Sequence, residues 1–205
     1  MKTAVFLSIR EKSTRLPKKV LLEIKGKTVT EHLIDRLKTA KQPDIVVLCT
    51  SINSRDAPLV EIAKKCGIRY FRGSEDDKLD RYLNAAQKYG VDFMIIVDED
   101  DIFCDPEFID KTIEMYKKTM ADFIYCPDLP LGASASGIKL DALKIVCDIK
   151  AESDTEVWGG YFLNTGLFKV VKLEVDDPDL RHPEVRMTLD YMRHRLRPAC
   201  IELDF

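Results

Sequence analysis

Between Arg10 and Val20 the chain reads REKSTRLPKKV, and five of those side chains are cationic: Arg10, Lys12, Arg15, Lys18 and Lys19. Ser13 and Thr14 add hydroxyl donors, and Pro17 stiffens the turn. Guanidinium forks grip pairs of phosphate oxygens, an ammonium acts as a mobile point charge, and loop amides can join them. The group suits a polyphosphate, although composition alone fits a solvated charged loop as well. A second group is Asp98, Glu99, Asp100 and Asp101, directly after an apolar run. Bunched carboxylates are costly unless solvated or holding a cation. Their hard oxygens suit Mg²⁺, which takes one or two carboxylates together with phosphate oxygens. Thr50-Ser51 and Arg72-Gly73-Ser74 offer hydrogen bonds to a base edge and a ribose, but turn and cap roles would use the same residues.

These groups need a frame. Short apolar runs at 4–9, 44–51, 68–71, 93–97 and 122–126 are rich in β-branched and aromatic residues and predict strands covered on both faces. Helical periodicity predicts helices over 28–40, 56–66, 77–89, 106–120 and 139–147. The first opens with a Thr28…Glu31 capping-box spacing, and the fourth with Asp105-Pro106. Alternation of this kind predicts a doubly wound, mostly parallel α/β sheet. Ligands bind such sheets beyond the carboxyl ends of the strands, and each chemical group above directly follows a strand. We expect one domain over 1–205, with a final helix missing after TLDY (188–191).

The net charge of −3 gives no basic footprint for nucleic acid, and no apolar run is long enough for a membrane span or signal peptide. The six cysteines are dispersed without zinc-ligand spacing, which fits free thiols in a cytoplasmic protein.

The stretch from Ser8 to Leu37 resembles the N-terminal motif of the cytidylyltransferases that activate sugars, above all the spore-coat polysaccharide type. Their pattern is roughly A-R-x-x-S-T-R-L-P-G-K-x-L, then G-K-x-x-x-x-H. Arg10, Ser13, Thr14, Arg15, Leu16, Pro17, Lys19, Leu21, Gly26, Lys27 and His32 match it. RGSEDDKLDRY (72–82) resembles the family's R-G-S-x-x-D-V-L-D-R-Y, and EDDIFCDPE (99–107) its G-D-x-P-L-I-D-P-E. Arg186 and Asp190 fit a C-terminal R-x-T-x-D. Lys12, Lys18 and Glu99 stand where glycines are usual, Ile9 where a small residue is usual, and Ile102 where a proline is.

The resemblance implies a Rossmann-like, GT-A-like nucleotidyltransferase fold. It implies a CTP triphosphate held by Arg10, Arg15 and Lys19 with Ser13 and Thr14, and cytosine and ribose recognition by Thr50, Ser51, Arg72, Gly73 and Ser74. Mg²⁺ would sit on Asp100 and Asp190. Gly132, Gly137, Trp158 and Tyr161 are acceptor-side candidates. The expected reaction is CMP transfer from CTP, or another nucleoside triphosphate, to a sugar hydroxyl for polysaccharide or glycoconjugate synthesis. A homodimer is compatible with the resemblance. Two other readings stand beside it: a glycosyltransferase using Asp98-Glu99-Asp100 as a D-x-D metal site, and a catalytically degenerate nucleotide binder.

Overall fold

The computed structural model describes residues 1–11, 16 and 18–189. All six residues of β1 (Thr3–Ser8) are buried. A hairpin follows, made of β2 (Glu23–Ile24) and β3 (Lys27–Thr28). Its two turn residues, Lys25 and Gly26, have φ of +48° and +78°, as a two-residue hairpin turn requires. Thr28 then caps α1 (Val29–Leu37) through the expected reciprocal box: its hydroxyl accepts from the Glu31 amide, and the Glu31 carboxylate accepts from the Thr28 amide. A hydrogen bond from Lys65 and the Thr28 amide together hold the Glu31 carboxyl down at about 2.

Next come β4 (Ile45–Ser51), α2 (Ala57–Lys65), β5 (Arg69–Gly73) and α3 (Lys78–Tyr89). β6 (Phe93–Asp98) leads to α4 (Pro106–Thr119), whose cap Asp105 accepts from the Glu107 amide. Each element lies within two or three residues of its predicted bounds, because long periodic patterns and short apolar runs are strong local signals.

The second half holds the expected β7 (Phe123–Tyr125) and adds β8 (Ser136–Lys139), which the sequence pattern did not mark; then come the expected α5 (Leu140–Ile149) and two further unmarked elements, the single-turn α6 (Gly160–Leu163) and β9 (Val170–Lys172). The sheet order is β5-β4-β1-β6-β8-β7-β9. All neighbours pair in parallel except β8, which runs antiparallel to both β6 and β7.

Successive residues of a strand point to opposite faces, and β1 divides its side chains accordingly. Val5 and Leu7 join a core with α1, α2 and α4, whereas Ala4 and Phe6 join one with α3, α5 and α6. Helices on both faces leave the carboxyl ends of the parallel strands as the open crevice. There Ser8 lies beside Cys49 and Asp98 in register, and Ser51 beside Gly73. Among the described residues no helix is long and apolar enough to cross a membrane, and the five described cysteines are free thiols.

Candidate active site

The loop after β1 is anchored at its entry. The Glu11 amide donates to Asp56 Oδ1 at 2.8 Å, and the Ser51 hydroxyl is bonded to the other oxygen of that carboxylate. Asp56 is fully buried, so it ties the entry of the loop to the end of β4. Arg10 is 8% exposed, and its guanidinium donates to the Glu75 carbonyl and to the Glu156 carboxylate. Lys19, 6% exposed, opens a 3-10 turn (Lys19–Leu21). Its ammonium donates to the Leu189 carbonyl at 3.3 Å and stands 3.8 Å from both the Glu99 and the Asp100 carboxylates. Lys18 precedes it at φ +58°, ψ +22°, the left-handed region that favours glycine. The family's glycine at this place thus has a conformational reason. Lys12, Ser13, Thr14, Arg15 and Asp190 lie outside the described residues.

The acidic loop after β6 faces these cations. Burial and the neighbouring Asp98 push the Glu99 carboxyl up to about 7, with Lys19 and Lys78 pulling the other way. Burial, with Asp98 and Asp100 nearby, raises the Asp101 carboxyl well above its ordinary value. The Asp101 carboxylate also accepts from the Asp98 amide at 3.2 Å, which closes the turn. Asp98 is paired with Lys78 at 2.9 Å. Burial works against the charge of Lys78, but the Tyr82 oxygen, Asp98 and Glu156 around it outweigh that effect and raise it above the ordinary value.

A late segment of the chain completes this side. Leu131 exchanges backbone hydrogen bonds with the 185–187 segment: its amide donates to Val185 at 2.9 Å, and its carbonyl accepts from Met187 at 2.7 Å. Gly132, at φ +96°, has the Met187 and Thr188 backbone 3.0 Å from where a Cβ would sit. The Leu189 amide then donates to the Asp100 carbonyl at 2.9 Å. Gly132 is therefore a close-approach glycine, but what approaches it is this chain's own backbone. The described residues contain no cluster of three or more ligating side chains arranged around one point. As a donor set, Asp100 with its neighbouring carboxylates fits a hard cation that keeps waters and phosphate oxygens in its shell.

On the base side, the residues expected to contact a nucleoside have structural partners. Arg72 donates to the carbonyls of Ser51, Ile52 and Asn53 at 2.8–3.0 Å, pinning the turn after β4. The Ser74 hydroxyl accepts from the Asp77 amide at 3.1 Å. Gly73 has no room for a side chain, because a Cβ would lie 2.7 Å from the Phe71 ring. Buried Arg81 donates to the Ser74 carbonyl at 2.5 Å and to Ser8 at 3.3 Å, so it braces this wall from behind. Thr50 is fully buried, and among the described residues its hydroxyl has no hydrogen-bond partner. Arg72, Gly73 and Arg81 thus shape the wall, while the Thr50 hydroxyl is left without a partner among the described residues.

Two acceptor-side expectations give way to packing. Trp158 sits edge-on to Tyr82, Phe123 and Phe162 at 6.0–6.4 Å and is 9% exposed, a core position. Gly137 lies in β8 directly beneath the Phe93 ring and 2.9 Å, Cβ to carbon, from Thr112. An aromatic residue beside glycines suits a sugar pocket and a core equally well in sequence. Tyr161 is half-buried against the same aromatic cluster.

Asp56, Lys78 and Glu156 carry much of the site's electrostatics without having been marked in the sequence. Each is a single charged residue at a helix start or in a loop, a pattern shared by many solvated residues. Lys78 alone left a trace, as a charged departure inside an otherwise matching motif.

Comparison with known proteins agrees with this fold. Residues 4–196 match the cytidylyltransferase family. The chain is 30% identical over 191 residues to the spore coat polysaccharide biosynthesis protein SpsF of Bacillus subtilis, spanning 90% of this chain and 79% of that one. It superposes on a cytidylyltransferase from Leptospira borgpetersenii serovar Hardjo-bovis with a TM-score of 0.84 at 27% identity, over 94% of this chain and 82% of that one. A CMP:2-keto-3-deoxy-manno-octonic acid synthetase complexed with CTP shares the fold, with a TM-score of 0.70 at 13% identity over 93% of this chain and 94% of that one. The mostly parallel sheet, the cation loop at its carboxyl edge and the match across nearly the whole sequence lead to one conclusion: the chain belongs to the cytidylyltransferase family.

Proposed function

We propose that this protein transfers CMP from CTP to a hydroxyl of an acceptor sugar, releasing pyrophosphate. One observation carries the reading: Lys19 stands between the acidic loop after β6 and the segment ending at Leu189, on the same sheet edge as Arg10. The SpsF and CMP-synthetase relatives support CTP and a sugar acceptor as the substrates. Phosphoryl transfer depends mainly on positioning and on neutralising charge. Lys19 and Arg10, joined in sequence by Arg15, Ser13 and Thr14, would hold the triphosphate and stabilise the departing pyrophosphate as its charge grows. The Asp56 anchor holds the loop's entry still, so the cations need little reorganisation. Asp100, with Asp190 next in sequence to Leu189, would hold Mg²⁺. When bound, that ion would neutralise phosphate charge and lower the pKa of a hydroxyl on it. No side chain of the described site stands out as a general base.

The test is pyrophosphate release from each of the four nucleoside triphosphates with a panel of acid sugars. Release with CTP and at least one sugar is expected. Absence of release throughout would end the catalytic claim. Consumption of a nucleotide-sugar donor instead would favour the glycosyltransferase reading.

A further inference from the structure

Lys78 is the first residue of α3, and its side chain is only 4% exposed. A buried ammonium at the positive end of a helix opposes the helix dipole and loses its hydration. Only its acidic partners hold the charge there, and the family motif quoted above has Val at this position. Its partners are acidic groups at the candidate site: Asp98 at 2.9 Å and Glu156 Oε1 at 3.1 Å. The other oxygen of Glu156 is paired with Arg10, whose side chain is 10% exposed. One carboxylate thus spans two buried cations.

That carboxylate is the loosest member of the group. The Glu156 side chain is 53% exposed, and burial, the largest influence on it, is outweighed by Lys78 and Arg10, which keep it ionised. The backbone on either side is fixed. Thr155 is fully buried, and its hydroxyl donates to Asp77 and accepts from the Leu79 amide. Trp158 is fixed in the aromatic core. A rotation of the Glu156 side chain alone would open the seat, with no loop to unfold. Asp98 would remain, so the vacated seat would keep one net positive charge, enough to attract an anion in a partly buried place.

We propose that Arg10 and Lys78 form an anion seat that Glu156 fills from within, and that an anionic group of the substrate takes this seat by displacing Glu156. The proposal rests on the reading that the site accepts a nucleotide and a sugar. The anion is either a phosphate of the nucleotide or the carboxylate of an acid sugar. Lys78 would then be a substrate-binding residue, and Glu156 a built-in competitor that favours anionic ligands over neutral ones.

Isothermal titration of the full chain tests this with three probes: inorganic pyrophosphate, ketodeoxyoctonate and uncharged cytidine. Glu156→Gln keeps the size of the side chain and removes its charge. It should tighten binding of pyrophosphate or of the sugar acid about tenfold, the scale of one charge-assisted pair. Cytidine affinity should be unchanged, which a general structural disturbance would not allow. The anion that responds identifies the source. Lys78→Met should weaken the same anion by a similar factor. Equal or weaker binding of both anions by Glu156→Gln would overturn the competitor role, and unchanged binding by a folded Lys78→Met would overturn the seat. Turnover of CTP is measured separately. Tightened pyrophosphate binding without turnover would keep the seat and remove the enzymatic reading; turnover without tightening would do the reverse.

Discussion

Lys18 offers a direct test of the loop that carries the candidate phosphate grip. Its φ of +58° and ψ of +22° place a Cβ-bearing residue in the left-handed region, immediately before the buried Lys19. That conformation costs an L-residue about 1–2 kcal/mol relative to glycine. A glycine would remove the cost but make the unfolded chain freer by about 0.4–1 kcal/mol. Combining these ranges, Lys18→Gly should stabilise the protein by about 0–1.6 kcal/mol, with a mid-range gain of about 0.8 kcal/mol. In a protein of this size that mid-range gain raises the melting temperature by roughly 1–4 °C. Lys18 is exposed, so loss of its side-chain contacts should be small. Lys18→Ala is the decisive partner, since it loses the same charge but keeps the Cβ. Urea denaturation of the two variants should place glycine above alanine. Within a helix or strand the order would be reversed by about 0.5–1 kcal/mol. Alanine equal to or more stable than glycine would refute the left-handed assignment and with it the explanation of the family's glycine. CTP binding by the same pair adds a functional reading: glycine should bind at least as tightly as alanine, because the turn then holds Lys19 in place without strain.

Three other outcomes are expected. Gly137→Ala should destabilise by about 2–3 kcal/mol in thermal or urea melts, because the Phe93 ring it would strike is already stacked on Tyr116 at 3.9 Å and has nowhere to move. Glu31→Gln should cost on the order of 1 kcal/mol at neutral pH, a figure kept small because its partner Lys65 is largely exposed. The Glu31 carboxyl is depressed from 4.5 to about 2 by Lys65 and the Thr28 amide. Its contribution is therefore complete above 4.5 and lost as pH falls through 2, so wild type and variant should converge in acid denaturation near pH 2. Asp100→Asn should lower CTP turnover about 10²-fold, as loss of one preorganised electrostatic partner does, and chelation of divalent cations should depress the wild type similarly.

The first half of the fold was legible because its signals are local. A run such as Ala4–Ile9 is apolar at every position but Ser8, and the capping box at Thr28 announces where a helix starts. β8 was not legible: its four residues, SGIK, include a glycine whose bareness only makes sense once Phe93 is seen packing over it. β9 and α6 are too short to show a period. In the site, charges of one sign gather immediately after strands, and the family resemblance then picks out Arg10, Lys19 and Asp100 among them. Arg72 and Ser74 were equally visible, but the sequence could not say that their hydrogen bonds serve the wall itself. Lys78 and Glu156 are distant in sequence and ordinary in isolation; only the fold sets them 3.1 Å apart.

The latch formed by Leu131, Gly132 and the segment from Val185 to Leu189 bears on when the protein becomes competent. Synthesis from the amino terminus delivers Arg10 and Lys19 first and Asp100 about eighty residues later, yet Leu189 bonds to both Lys19 and Asp100. A growing chain that has completed every strand through β9 still lacks this clasp. Its cations and carboxylates face each other with one wall unfinished. Assembly of the site thus waits for the 185–189 segment, which is made only after every strand of the sheet beneath it.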